Sequence, residues 1–364
     1  MKKIERFSKG MGIGGWLTNY KRFNVLPDEW RQVITIGDME HFRTYITEND
    51  VKYIKELGMD HVRLGFDQIV IEESAYKYRE EIFEIIHNFV DWCNKWDIRV
   101  VLNMHKALGN YCDIKEEISL MDSLELQKRF IALWEKIEVE FSDDNDIVFE
   151  LLNEVRDVEP ALWNNLAEKT VDALRSLNKE RYIIVGGTQW GGPKQLKNLK
   201  IFDDDRIIYS FHCYTPYEFT HQQSVLMAPT LYYNRKLTYP CDDMDRYRGY
   251  HWLLSGADTS PYPDYDRIDI KVLYDELESV KEFIEKNPDK ILWCGEFGTI
   301  RHADIKSREN WMRDMIKICK EYDIPYCVWN YLSTPNDGNR FSLVDDDSRK
   351  ILSDEMAKII RGEI

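Results

Sequence analysis

The sequence predicts an α/β protein, a (β/α)8 barrel formed by a single domain over residues 1–364. Eight short apolar runs alternate with amphipathic helical patterns from near the first residue to near the last. The runs lack the polar–apolar alternation of half-exposed strands, as expected for parallel strands that are covered on both faces. No Pro-, Gly- or Ser-rich linker interrupts the series, and eight strand–helix repeats fit a closed barrel better than an open doubly wound sheet.

Each apolar run has the length of a barrel strand. The eight predicted strands are MGIGGW (11–16), DHVRLGF (60–66), IRVVLNMH (98–105), DIVFELLNE (146–154), RYIIVGG (181–187), RIIYSFHCY (206–214), KILWCGEFG (290–298) and IPYCVWNY (324–331). The clearest helical patterns between them are at 79–96, 123–141, 160–178 and 305–322. Apolar residues recur there every three to four positions, which is typical of a helix that packs one face on a sheet.

The first strand contains GMGIGG (10–15), which matches the glycine pattern GxGxxG of dinucleotide-binding proteins. That motif needs a preceding strand, a following helix and an acidic residue about twenty positions further on. Here a charged leader of nine residues precedes it, WLTNYKRF follows it, and no acid ends a second strand at the required distance. The pattern therefore favours a glycine-rich first barrel strand over an NAD-dependent oxidoreductase.

One interval is too long for a barrel loop. The segment of about residues 215–269 separates the sixth strand from its helix and is dense in Tyr, Pro and charged residues. Insertions on this face of a barrel commonly build a wall of the functional site. We therefore expect an inserted subdomain at this wall, and the many aromatic residues favour it over a disordered excursion.

Charge and composition limit the partners. The chain carries 49 basic and 65 acidic residues, a formal net charge of −16. Such a balance disfavours nucleic acid and an anionic membrane surface as partners, and no apolar run reaches membrane-spanning length. The sequence carries no signal for an oligomeric state.

The cysteines and the N-terminus bear on the compartment. Seven cysteines are scattered without a disulfide-like spacing, at positions 93, 112, 213, 241, 294, 319 and 327. Free buried thiols indicate a reducing environment. The N-terminal MKKIERFSKGMG is basic but has no apolar stretch after it. We therefore expect a cytoplasmic protein, or a secreted one if a signal peptide has been removed.

Two predicted strands end on a glutamate, Glu154 on the fourth and Glu296 on the seventh. Either residue alone could be an ordinary acid at a helix N-terminus. The carboxyl ends of barrel strands meet at one mouth, however, and a pair of carboxyl groups is what glycosidic-bond cleavage requires. Other strands end on polar or aromatic residues, namely Arg63, His105, His212, Tyr214, Trp329 and Asn330.

The strand ends HVRLGF, NMHKALG, FELLNE, SFHCY, CGEFG and VWNY together resemble glycoside hydrolase family 5, from about residue 10 to about residue 332. The segments GIGGWL, YITEND (45–50), HVRL and FTHQ (219–222) resemble its clostridial endoglucanase branch, which has an inserted subdomain after strand six. The resemblance implies a cofactor-free and metal-free retaining β-glycosidase. Such an enzyme cleaves β-1,4-glucosidic bonds of soluble β-glucans or cello-oligosaccharides through a covalent glycosyl-enzyme. A β-mannanase, β-mannosidase or exo-β-glucosidase of the same family is the alternative, and a non-catalytic sugar-binding barrel is a weaker one.

The resemblance also implies roles for individual residues. Glu154 would be the general acid/base, with a raised pKa, and Glu296 the nucleophile, with a lowered pKa. The supporting residues would be Arg63 and Tyr214 on the nucleophile, His212 on the acid/base, and Asn153 and His105 on the sugar hydroxyls. Trp329 would form the platform under the sugar at the cleavage point.

Small departures from the family bear on the substrate. Gly65 stands where many relatives have Pro, and Lys106 follows His105 where a second His is frequent. Lys106, Trp16 and Trp190 are predicted as further sugar contacts.

Overall fold

The computed structural model describes residues 2–18, 39–111, 119–226, 228–256, 262, 265–334 and 337–363. Eight parallel strands close into a barrel in which each strand pairs with its neighbour in sequence and the last pairs with the first. The barrel strands are β1 Lys9–Leu17, β2 His61–Asp67, β3 Arg99–Lys106, β4 Val148–Glu150, β5 Ile183–Gly186, β6 Ile207–His212, β7 Ile291–Phe297 and β8 Tyr326–Val328. The predicted (β/α)8 barrel is confirmed, and each of the eight predicted runs overlaps one strand.

The described residues also form thirteen helices. They are α1 Met39–Thr44, α2 Glu48–Glu56, α3 Gln68–Ile71, α4 Glu80–Lys95, α5 Leu124–Glu140, α6 Pro160–Leu177, α7 Tyr217–Thr220, α8 Ala228–Tyr232, α9 Met244–Ser255, α10 Ile270–Glu276, α11 Glu278–Lys286, α12 Ile305–Glu321 and α13 Asp354–Arg361. The four helices predicted from apolar spacing correspond to α4, α5, α6 and α12. After β5 the chain forms only 3-10 turns, Gln189–Gly191 and Pro193–Asn198, and a hairpin of Glu72–Ser74 with Lys77–Tyr78 follows α3.

Several helices begin at a side chain that caps their free N–H groups. Ser123, Asp304 and Ser353 accept hydrogen bonds from backbone amides in the first turns of α5, α12 and α13. Such caps satisfy donors that the helix itself cannot, and each stabilises a helix by about 1 kcal/mol. They fix where the helix starts after the preceding loop.

The hydrophobic core has an inner and an outer part. All residues of β2, β6 and β7 are buried, as their continuous apolar runs predicted. The inside of the barrel is filled by a small cluster, which contains Phe7, Val101, Val148, Ile184, Ile208, Ile291, Trp293 and Cys327. The larger cluster lies between the strands and the helices. This packing holds the strand ends in fixed positions around the mouth.

The glycines of β1 have a packing role. A Cβ atom on Gly12 or Gly14 would lie 2.7 Å from ring carbons of Trp329, which is closer than carbon atoms approach. The two glycines therefore let the Trp329 ring lie directly on the strand. β1 continues through Trp16 to Leu17, so the glycines occur within a strand and not in a strand-to-helix turn.

The described part of the 215–269 segment is folded and attached to the barrel. Tyr239 is buried, its backbone N–H donates to Ser307 Oγ at 3.0 Å, and its hydroxyl donates to Asp314 at 2.8 Å. Trp311 donates its ring N–H to the carbonyl of Thr215 at 2.9 Å. These three hydrogen bonds join the segment to α12. Residues 227, 257–261, 263 and 264 lie outside the described residues.

The cysteines in the described residues are all unpaired and buried, as predicted. Cys112 lies outside the described residues. None of the helices in the described ranges combines the length and apolar character that a membrane span requires.

Candidate active site

The mouth of the barrel brings most of the predicted polar residues together. β4 ends at Glu150, but the chain remains bonded to its neighbours, since the amide of Leu151 donates to Ile184 at 3.1 Å and that of Asn153 to Met104 at 2.9 Å. Glu154 then has a φ of 25°, in the left-handed region that costs a non-glycine residue about 1–3 kcal/mol. The surrounding hydrogen bonds hold this strained backbone at the end of β4.

Glu154, His212 and Glu296 form a compact group. The Nδ1 atom of His212 lies 3.0 Å from Glu154 Oε1 and 3.7 Å from Glu296 Oε2. His212 is paired with Glu296 across β6 and β7, immediately after an irregularity in the register. One side-chain atom of each of the three residues lies within 4.8 Å of the other two, a spacing that could hold a metal ion. The two carboxyl groups therefore face one another across a short gap.

Glu296 is surrounded by groups that favour its ionised form. Its side chain is only 5% exposed, and it accepts hydrogen bonds from Arg63 Nη1 and, at 2.9 Å, from the hydroxyl of Tyr214. Burial alone would raise the pKa of Glu296, but His212, Arg63 and Tyr214 together outweigh it and hold the pKa below its usual value. Burial and the Glu296 charge raise the pKa of Tyr214, so its hydroxyl keeps its proton and stays a donor.

Glu154 has the opposite electrostatic setting. Burial raises its pKa, the negative charge of Glu296 adds to this, and the hydrogen bond from His212 only partly offsets both. Its side chain is 20% exposed, so it can still reach a bound ligand. Burial lowers the pKa of His212, but the charges of Glu296 and Glu154 outweigh it and raise the value. The pKa values of the two carboxyl groups are thus shifted in opposite directions, so Glu296 loses its proton at a lower pH than Glu154 does.

Arg63 connects the ends of β4 and β7, and it also bonds Glu150, a residue that the sequence analysis did not identify. Its guanidinium donates to Glu296, to Asn153 Oδ1 at 2.7 Å, and to both oxygens of Glu150, with Nη2 3.0 Å from Oε1. Arg63 and Glu150 are both buried. A charged residue inside the apolar strand FELL is the signal that could have revealed Glu150, because a buried charge requires a partner.

An aromatic floor lies beside these charges. The rings of His105 and Trp329 are nearly parallel, at 7°, with their centroids 5.4 Å apart. The Arg63 guanidinium lies 6.0 Å from the Trp329 ring, which is partly exposed. Asn103, a second residue that the sequence did not indicate, places its Oδ1 atom 3.0 Å from Nδ1 of His105.

Trp190 lies next to the acid-bearing end of β4. Its amide donates to the carbonyl of Val155 at 2.9 Å, and its backbone has a left-handed φ of 57°. The side chain is 45% exposed, which is unusual for tryptophan. The Trp190 ring is therefore accessible, and its backbone is bonded to Val155, the residue that follows Glu154.

Two predicted sugar contacts need correction. Trp16 is 1% exposed, donates its ring N–H to the carbonyl of Phe42 at 2.7 Å and packs edge-on against Phe89, so it belongs to the core. Lys106 is also 1% exposed, and its ammonium lies 3.4 Å from the equally buried Asp67 carboxylate. Neither side chain offers a surface to a sugar.

The chain matches a family model described as cellulase (glycosyl hydrolase family 5) over residues 23–334. It is 35% identical to endoglucanase C of Acetivibrio thermocellus, an alignment that covers 97% of this chain and 98% of that protein. It is also 28% identical to cellodextrinase A of Ruminococcus flavefaciens, over 89% of this chain and 85% of that protein. The likeness to both extends across nearly the full barrel.

Solved structures show the same fold. A hyperthermophilic endo-β-1,4-glucanase in complex with substrate superposes with a TM-score of 0.73 at 23% identity and covers 98% of this chain and 97% of its own. Cel5A of Thermotoga maritima, in a complex with cellobiose, superposes with a TM-score of 0.74 at 23% identity, with 98% of each chain covered.

Proposed function

The chain belongs to the cellulase family, glycosyl hydrolase family 5, and from this premise we propose that it is a retaining endo-β-1,4-glucanase. Its substrates would be soluble β-glucans and cello-oligosaccharides. One observation carries the proposal: Glu154 and Glu296 face each other with oxygen atoms within 4.8 Å and opposite pKa shifts. Retaining glycosidases hold their carboxyl groups about 5–5.5 Å apart, whereas inverting enzymes leave room for a water between them.

In the first step, the ionised Glu296 carboxylate attacks the anomeric carbon of the sugar. The glycosidic C–O bond breaks as a covalent ester forms, and the proton of Glu154 passes to the departing oxygen. The raised pKa of Glu154 favours the protonated form that this step needs. Arg63 and Tyr214 hold Glu296 ionised and aimed by hydrogen bonds.

In the second step, Glu154 acts as a base. Once Glu296 is an ester its negative charge is gone, so one of the causes of the raised pKa of Glu154 disappears. Glu154 then takes a proton from water, the water oxygen bonds to the anomeric carbon, and the ester bond to Glu296 breaks. Both residues return to their starting states with net retention at the anomeric carbon.

The surrounding residues suit a β-linked glucan chain. Trp329 offers a partly exposed ring beside the carboxyl pair, and Asn153 and His105 lie where they can bond hydroxyls of the same sugar. The accessible ring of Trp190, near Glu154, would support a sugar on the leaving-group side. We also infer that the 215–269 segment forms part of the wall, because it begins directly after Tyr214.

Substitution of the two carboxyl groups tests the chemistry. Glu296→Gln and Glu154→Gln should each lose most hydrolysis of an aryl β-cellobioside, by about 10³-fold or more for the nucleophile, while the fold survives. Glu285→Gln is a matched control, since Glu285 lies on the surface of α11 with 66% of its side chain exposed. Full activity in either catalytic variant would overturn the proposal.

Azide distinguishes the retaining route. Glu154→Ala should recover activity when azide is added with an activated leaving group, and the product should be a β-glycosyl azide, because azide attacks the glycosyl-enzyme from the face that Glu154 occupied. An α-azide would contradict a covalent intermediate on Glu296. Substrate range is then measured by the products from barley β-glucan, carboxymethylcellulose, mannan and cello-oligosaccharides. Internal cleavage of the glucans with little action on mannan is expected.

A further inference from the structure

Tyr214, which donates to Glu296, is itself held by a cluster of rings. Its ring meets His221 edge-on at a centroid distance of 4.9 Å and Phe341 at 5.8 Å. Tyr217 stacks on His221, with ring centroids 4.1 Å apart and an interplanar angle of 15°. The FTHQ segment at 219–222 thus packs directly behind a residue of the candidate active site.

A hydrogen-bonded chain runs from His221 to the backbone of Tyr214. The Thr220 hydroxyl donates to the carbonyl of Tyr214 at 2.6 Å and lies 3.0 Å from Nδ1 of His221. A hydroxyl has one proton, so at its second contact it accepts, and Nδ1 of His221 carries the hydrogen. Burial lowers the pKa of His221 to about 3, so the ring stays neutral across the working range.

The same segment is braced by the loops after β7 and β8. Asn339 Oδ1 accepts from Ser224 Oγ at 2.6 Å and from the amide of Val225 at 3.2 Å. The amide of Ile300 donates to the carbonyl of Thr220 at 2.9 Å. Thr220 is completely buried. The segment therefore cannot shift without breaking contacts to two other loops of the mouth.

We propose that Thr220 and His221 are positioning residues that fix the distance and angle at which the Tyr214 hydroxyl meets Glu296. The proposal rests on the proposed function, in which Glu296 is the nucleophile. The hydrogen-bonded chain fixes the backbone of Tyr214, while His221 and Phe341 limit the rotation of its ring. Thr220 and His221 act through Tyr214, so their loss should change the same properties as loss of the tyrosine hydroxyl, by a smaller amount.

The acid limb of the pH dependence of kcat/KM is the specific readout. Glu296 is faced by the charges of His212 and Arg63, by the Tyr214 hydroxyl and by Glu154. Since the Tyr214 hydrogen bond lowers the pKa of Glu296, a looser bond raises it, and the acid limb moves to higher pH. A residue with only a structural role would lower stability without moving this limb.

Thr220→Val keeps the shape of the side chain and breaks the chain of hydrogen bonds. We expect about a three- to tenfold loss of kcat/KM on an aryl β-cellobioside, carried by kcat, with the acid limb shifted to higher pH. Tyr214→Phe should shift the limb in the same direction with about a ten- to hundredfold loss. In the double variant, Thr220→Val should add no further loss, because its effect passes through the missing hydroxyl.

Two further variants complete the test. Thr170→Val removes a buried hydroxyl that bonds Leu166 at 2.8 Å within α6 and should leave the pH profile unchanged. His221→Phe keeps a ring in place but cannot donate to Thr220, and it should reproduce the shift of Thr220→Val. It also provides the measurement if Thr220→Val fails to fold.

The outcomes separate this proposal from the proposed function. If Thr220→Val leaves the acid limb in place, or lowers kcat/KM by the same factor with and without the Tyr214 hydroxyl, the positioning role is overturned. If Tyr214→Phe itself has no effect, the assigned contact between Tyr214 and the nucleophile is wrong. If Glu296→Gln remains active, the proposed function fails and this proposal fails with it.

Discussion

Two buried arginines of this barrel show how similar ion pairs serve different purposes. Arg63 at the mouth and Arg181 just before β5 are both 0% exposed, and each donates to both oxygens of a glutamate, Glu150 and Glu138 respectively. The remaining donors differ. Those of Arg181 bond backbone carbonyls, at Asp144, at Ile147 (2.7 Å) and at Phe141 (2.7 Å). Those of Arg63 reach Asn153 and Glu296.

The difference lies in what the second set of acceptors can do. Around Arg181, a single carboxylate neutralises the charge and fixed carbonyls satisfy the other donors, so the pair is closed and structural. Around Arg63 there are two carboxylates for one guanidinium, and Glu150 and Glu296 outweigh the effect of burial and raise the pKa of the arginine. Glu296 is therefore held ionised by a charge that it shares, and it remains able to react.

Substitution of the arginines should break this comparison most strongly. Arg63→Lys cannot serve Glu150, Asn153 and Glu296 together, because an ammonium lacks the planar fork of donors. We expect kcat/KM on an aryl β-cellobioside to fall by about 10²–10⁴-fold. Arg181→Lys should instead lower the free energy of unfolding by about 1–3 kcal/mol, because buried carbonyls lose their donors, with near-normal kcat for the folded fraction.

Urea denaturation and active-site titration of both variants separate the two effects. Equal losses of activity per folded molecule in Arg63→Lys and Arg181→Lys would contradict the distinction between the Arg63 site, which is open to a reacting group, and the closed Arg181 pair.

The glutamate partners provide the next test. Glu150→Gln keeps the shape of the side chain but leaves Arg63 to bond more strongly to Glu296, which makes the nucleophile less reactive. We expect about a 10- to 100-fold loss of kcat, with the fold retained. Glu138→Gln should act on stability, because Arg181 then keeps a buried charge without a counterion. Wild-type kcat in Glu150→Gln would show that Glu150 serves only packing.

Substitution of His212, which contacts both carboxyl groups, should have a smaller effect, which is seen in the pH dependence of activity. Activity requires Glu296 ionised and Glu154 protonated, so the acid limb of kcat/KM follows Glu296 and the basic limb follows Glu154. His212 lowers the pKa of both. His212→Gln should therefore move both limbs to higher pH, while Glu138→Gln at the closed pair should move neither. A shift of either limb to lower pH would contradict this account.

The sequence predicted the carboxyl groups at the barrel mouth better than the buried interactions that support them. Glu154 and Glu296 were identifiable because polar residues that end apolar strands must meet at the barrel mouth. Glu150 and Asn103 were missed because they lie within the predicted apolar runs, where the sequence does not reveal which buried polar side chains find partners. Trp16 was wrongly assigned to the substrate for a related reason, since the face of β1 on which it lies depends on helices packed from elsewhere in the chain.

Other features depended on contacts distant in sequence. The 3-10 turns after β5 replace a regular helix. The positive φ of Trp190 lies in a turn that leaves its ring exposed, although tryptophan rings are usually buried. The role of Gly12 and Gly14 became clear only from Trp329, more than three hundred positions away in the chain. Local patterns thus gave the order of strands and helices, while the shape of the mouth came from packing between them.

The smallest predicted effect concerns how much Glu154 lowers the stability of the folded protein at neutral pH. Its folded pKa is raised, mainly by burial. As pH rises through the ordinary glutamate range, the unfolded chain loses this proton while the folded chain keeps it, so the contribution of Glu154 to stability declines until the folded pKa is passed. Glu154→Gln has no such titration and can still accept from His212.

Glu154→Gln should raise Tm by about 1–3 °C at neutral pH and leave it unchanged near pH 3, measured by calorimetry. Glu138→Gln should lower Tm at neutral pH, because the closed pair loses a carboxylate that was fully satisfied. A lower Tm for Glu154→Gln at neutral pH would mean that the mouth is as optimised for stability as the closed pair.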